Sequence, residues 1–241
     1  MAGFEIKNAI KNFKELDKES AIVLILSSLL MVLVAYQGHP EFFLKHFPQT
    51  ESSKSEFWSE TWRFASVFLL FFIVPLITIK LVFKKSIKDY GLKSGDWKFG
   101  IAFTIASIIS IPIPLYFATR SKDFLAQYPL WSECCASLPN FFLWIGLYLL
   151  FYIGWEFFFR GFIQFSMVGK IPAFYIVMMQ TLPSTIIHIG KPEGETLAAI
   201  IGGLVFGAVA LRSGSILYPL MVHWYLGILT ESFCYLHGVG G

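Results

Sequence analysis

Charge is scarce in this sequence. Only 15% of its 241 residues are Asp, Glu, Lys or Arg, where about 25% is ordinary for a soluble domain. That deficit excludes a disordered chain and a nucleic-acid binder working through a charged surface. Cysteine is rarer still: the adjacent pair Cys134 and Cys135, and Cys234 near the end. So few thiols exclude a disulfide scaffold, and their spacing fits no zinc motif. Neighbouring cysteines rarely bridge each other, and a disulfide from the pair to Cys234 stays open where both face the oxidising side of a membrane. Also missing are internal repeats, a phosphate-cradling glycine loop and a Ser/His/Asp order. The first 20 residues mix lysines with acids and lack a small-residue cleavage site, which argues against a signal peptide. A net charge of +3 is too mild to imply an acidic partner.

What fills the chain is apolar: 56% of residues, with 26 Phe and 7 Trp. Seven apolar runs approach the roughly 20 residues that cross a bilayer, near 21–37, 64–83, 98–118, 141–167, 171–188, 195–212 and 215–236. They are too long and evenly apolar for barrel strands, so helices satisfy the backbone in lipid. The expected fold is all-α, a polytopic membrane bundle of about seven transmembrane helices forming one domain over 1–241. Ahead of it, Ile6, Ile10, Phe13 and Leu16 share helical spacing, while Lys7, Lys11, Lys14 and Lys18 form another stripe. Residues 1–20 therefore read as an amphipathic helix on an anionic membrane surface, or as a solvated helical extension.

With the N-terminus inside, the inner segments hold Lys7, Lys11, Lys14, Lys18, Lys80, Lys84, Lys85, Lys88, Lys93, Lys98, Lys170 and Arg212. The outer ones hold only Lys45, Lys54, Arg63, Arg120, Lys122 and Lys191. This bias sets the N-terminus in the cytoplasm and the C-terminus outside. The expected location is a bacterial cell membrane.

Ionisable groups within a span cost about 2.5–3.5 kcal/mol at mid-bilayer for Arg or Asp, so they usually face a protein interior or a wet cavity. The fourth run reads GWEFFFRGFIQF, with Glu156 and Arg160 one turn apart, Tyr152 a turn before and Gln164 a turn after. A polar ridge follows, while Phe157, Phe158 and Phe159 meet lipid or neighbouring helices. The plain reading of Glu156 and Arg160 is a buried ion pair. His188, ending the fifth run, and His223, in the seventh, shift the balance toward chemistry. A desolvated glutamate with imidazoles can activate water. Glu156, His188 and His223 are also a candidate zinc ligand set, and no other cofactor is expected. His188 lies far along its run, and a bend at Pro183 is expected to lower it toward the others. Glu193 and Glu195, in the loop after His188, read as solvated charge or as a reserve base. Ala199, Gly203 and Gly207 make a smooth ridge for close helix approach. The outer loops 38–63 and 119–140 carry no assigned chemistry.

Residues 141–236 resemble the CPBP family, the CAAX-protease and bacteriocin-processing (Abi) intramembrane endopeptidases. Its pattern is Glu-Glu-x-x-x-Arg, a histidine on the next helix, and His-x-x-x-Asn or Asp on a later one. Here it stands as Trp155-Glu156-x-x-x-Arg160-Gly161, Ser184-x-x-x-His188, and His223 followed by Gly227. The resemblance implies a glutamic intramembrane protease acting on a membrane protein or peptide in the bilayer, with no nucleic-acid partner. It implies Glu156 as general base with His188 as partner, His223 as oxyanion contact and Arg160 as electrostatic support. Trp155 stands where the first glutamate belongs, and Gly227 offers no side-chain donor. Those two departures keep open an inactive relative that binds a peptide as an immunity or scaffold protein. A small transporter is a third reading, weakened by the lack of duplicated halves.

Overall fold

The computed structural model describes residues 17–47 and 51–239. Among these the chain forms ten helices and no strand. They are α1 Lys18–Tyr36, α2 Pro40–His46, α3 Ser52–Phe83, α4 Trp97–Ser110, α5 Pro112–Ala118, α6 Lys122–Gln127, α7 Leu138–Phe165, α8 Ala173–Ile186, α9 Glu193–Ser213 and α10 Leu217–Val239. Each of the seven apolar runs is helical, and the all-α bundle agrees with the sequence. Most of the expected amphipathic segment at 1–20 lies outside the described residues; Lys18–Ser20 are the first turn of α1, which Asp17 caps by accepting from the Ser20 amide.

Four helices, α1, α3, α7 and α9, are long and apolar enough to cross a membrane. A fifth results if α4 and α5, bent by 42° at a short break, count as one span. Pro112 opens α5, and its missing N–H accounts for the break. α8 has only 14 residues, and α10, which carries His223, Thr230 and Glu231, falls below that apolar measure. α3 begins at Ser52 rather than near 64, because its polar first turns read as loop.

Side-chain bonds gather the helix ends into two groups. At one end Lys85 pairs with Glu19, Lys170 with Asp17, and Arg212 with Asp96, at 2.6, 3.1 and 2.9 Å. At the other, the Trp131 indole donates to Ser53 and the Ser132 amide to Glu56. Between them lies an aromatic core. Phe157, Phe158 and Phe159 are fully buried, and Phe158 stacks on Phe71 with ring centroids 3.9 Å apart. All three meet neighbouring helices and none meets lipid. The small-residue ridge on α9 is used as expected: a Cβ on Gly203 would meet Thr181 of α8 at 2.7 Å, and one on Gly207 would meet Gln180 at 2.6 Å. The three cysteines are free thiols, with the Cys134 and Cys135 sulfurs 3.4 Å apart.

Candidate active site

Glu156 closes the α-helical part of α7, and Phe157–Phe165 continues it as π-helix. Such wider turns often accompany functional sites, since they re-aim side chains. Across that junction Arg160 Nη1 donates to Glu156 Oε1 at 3.1 Å. The same oxygen lies 2.6 Å from His223 Nδ1 on α10. Glu156 is 0% and Arg160 2% exposed, so one buried carboxylate oxygen gathers a guanidinium and an imidazole. Glu156 Oε2 and Arg160 Nε are buried without a hydrogen bond among the described residues. Phe206 of α9 lies under the guanidinium, 5.7 Å from Cζ to ring centre. Gln164 extends the ridge by donating to the Gly207 carbonyl at 3.0 Å.

Tyr152 and Phe206 flank the His223 ring at 4.6 and 5.4 Å between centroids. Its side chain keeps 16% exposure. One turn on, a Cβ at Gly227 would lie 2.2 Å from the Tyr152 hydroxyl oxygen. His188 stands just past the end of α8, with Pro183 in that helix's last turn. Its Nδ1 lies 2.6 Å from the Ser184 carbonyl, and its ring meets Trp155 edge-on at 5.4 Å. The carboxylate thus pairs with His223, while the half-buried His188 faces the indole beside it. Glu156, Arg160, His223 and Tyr152 are one constellation with His188 at its border. No group of three or more His, Cys, Asp or Glu side chains among the described residues is arranged to hold a metal.

The two reserve carboxylates sit elsewhere. Glu193 is exposed in the first turn of α9 and lines a cavity of about 310 Å³ with Asp123, Gln127 and Lys191. Glu195 accepts from the Tyr128 hydroxyl at 2.9 Å, and Lys191 Nζ donates to the same hydroxyl at 2.9 Å. Burial above all, and then the nearby Arg63 guanidinium, lower the Lys191 amine to about 8. Burial also pushes the Tyr128 phenol well above its usual value, with Glu195 adding to the effect.

Further polar residues join this second network. Arg63 pairs with Glu60 within α3. Glu231, buried in α10, accepts from the Leu130 amide and the Trp144 indole, each at 3.1 Å. The outer segments 38–63 and 119–140, to which the sequence assigns no chemistry, supply polar partners to this network. Glu231 was detectable as an acid two turns beyond His223 in the same apolar run. Glu60 and Arg63 were detectable only by carrying the helical spacing of α3 back through its polar start.

Residues 137–229 match a family model described as type II CAAX prenyl endopeptidase, Rce1-like. The matched segment starts at Ser137, whose side chain caps α7, and ends within α10, so it contains Glu156, Arg160, His188 and His223. It is the same family grouping that the motifs indicate. No curated protein and no solved structure matches the chain.

Proposed function

With residues 137–229 matching the CAAX prenyl endopeptidases, we propose that this chain is an intramembrane endopeptidase whose Glu156, acting through His223, activates the water that cleaves a membrane-associated peptide. One observation carries the mechanism: the 2.6 Å contact between Glu156 Oε1 and His223 Nδ1 in a buried setting. A carboxylate holding Nδ1–H leaves Nε2 as the proton acceptor and stabilises the imidazolium that forms. Arg160, on the same carboxylate oxygen, fixes the rotamer of Glu156 and holds it against the imidazole. His188, with Nδ1 turned to the Ser184 carbonyl, offers Nε2 for holding the water or the scissile carbonyl.

The test uses purified protein in liposomes, a library of membrane-associated peptides and mass spectrometry of the products. Wild type is expected to cleave at least one peptide. His223→Ala, which spares the Glu156–Arg160 pair, is expected to lose about 10²–10⁴-fold in kcat. Cleavage that survives both His223→Ala and Glu156→Gln overturns the mechanism. A second reading, a peptide-binding relative without turnover, draws on the sealed Glu156 and on the indole of Trp155 beside His188. Peptides retained uncleaved by wild type would select it.

A further inference from the structure

We infer that the Tyr152 hydroxyl is the hydrogen-bond donor to the oxyanion formed when water adds to the scissile carbonyl, an inference that rests on the hydrolase reading above. The first ground is position. Tyr152 stands one turn before Glu156 on α7 and is buried, its ring 4.6 Å from that of His223. The nucleophilic water, drawn by His223, must meet its carbonyl beside that ring. Phe206, on the other flank, has nothing to donate.

The second ground is the gap that the phenol occupies. Gly227 lies one turn after His223 on α10, so a side chain there would project beside the imidazole. No such side chain fits, because its Cβ would come within 2.2 Å of Tyr152 Oη and 2.7 Å of two ring carbons. Gly227 lies inside a regular helix, so it supplies space rather than an unusual backbone angle. Glycine on one helix and tyrosine on the other thus bring a phenolic O–H to where α10 itself has no donor. The third ground is support from Tyr148, one turn earlier on α7, whose ring packs 4.7 Å from that of Tyr152 and holds it in place.

In the step itself, His223 Nε2 takes a proton from water as the water oxygen bonds to the carbonyl carbon, and the C=O π pair moves onto oxygen. Tyr152 donates a hydrogen bond to that oxygen and keeps its proton. The C=O bond then reforms, the C–N bond breaks, and the leaving amine takes the proton from His223. Preorganised donors of this kind contribute about 10²–10³-fold in kcat.

Tyr152→Phe keeps the ring against His223 and Gly227 and removes only the oxygen. Assayed beside wild type and His223→Ala, it is expected to lose about 10²-fold in kcat with KM and melting temperature nearly unchanged. Tyr152→Ala is expected to lose at least as much. Tyr152→Ala combined with Gly227→Asn, which grafts an amide from α10 into the vacated space, is expected to recover tenfold or more over Tyr152→Ala alone. A Tyr152→Phe kcat within about threefold of wild type, while His223→Ala is inactive, overturns the donor role and leaves the hydrolase reading standing. No recovery in a double variant that melts like wild type counts against the donor role. A wild type inactive on every peptide overturns the hydrolase reading, and this inference with it.

Discussion

A carboxylate held away from water needs partners, and Glu156 has two on a single oxygen. Removing one member of such a buried cluster typically costs 3–5 kcal/mol, because the remaining charge is left uncompensated. Truncation of Arg160 is therefore expected to destabilise the fold as well as to disturb the site. Lys191 is the contrasting case, an amine near the cavity rim paired with a phenol. Its folded value of about 8 lies below the ordinary 10.5, so the unfolded chain binds more protons between those limits. The stability that this group contributes therefore rises with pH across that window and is lost as pH falls through 8. The melting temperature of wild type relative to Lys191→Met is expected to climb between pH 8 and 10 in detergent. A flat or falling difference would contradict the buried position of the amine.

At the scale of elements, α8 and α9 are pressed together through glycine. A methyl at Gly207 would come within 2.6 Å of Gln180, 2.9 Å of Gln164 and 3.0 Å of Val177. Gly207→Ala is therefore expected to destabilise by about 1–3 kcal/mol. On the same helix, a Cβ at Gly202 meets nothing within 4 Å. Gly202→Ala is expected to be neutral or stabilising by up to about 1 kcal/mol, through helix propensity alone. Thermal melts of the two variants, read together, check the packing direction of α9. The apolar runs behind these helices were legible in the sequence because burial in lipid and helix formation ask for the same residues. The start of α3 was not, since Ser52–Arg63 is polar and finds its partners in distant segments. Likewise, helical spacing put Glu156 beside Arg160, but nothing local could decide between His188 and His223 as its imidazole. That choice depends on how α10 lies against α7 and on the short reach of α8.

Across the whole molecule, the ion pairs at one end join the start of α1 to the lysines after α3 and α7. The lysine bias predicts that this end faces the cytoplasm, and that orientation can be tested. In cells expressing variants that lack the native cysteines, a membrane-impermeant maleimide is expected to label Ser132→Cys and to spare Ser94→Cys. Both positions are exposed, and they lie in segments assigned to opposite sides. The reverse pattern would invert the topology. The sealed state of Glu156 has a further consequence. In the proposed hydrolase, with Glu156 wholly enclosed and the His223 side chain 16% exposed, water would have to enter by the open edge of that imidazole. Its turnover would then depend on ring rotation and helix breathing as well as on bond chemistry, and the same enclosure would guard neighbouring membrane proteins from stray cutting.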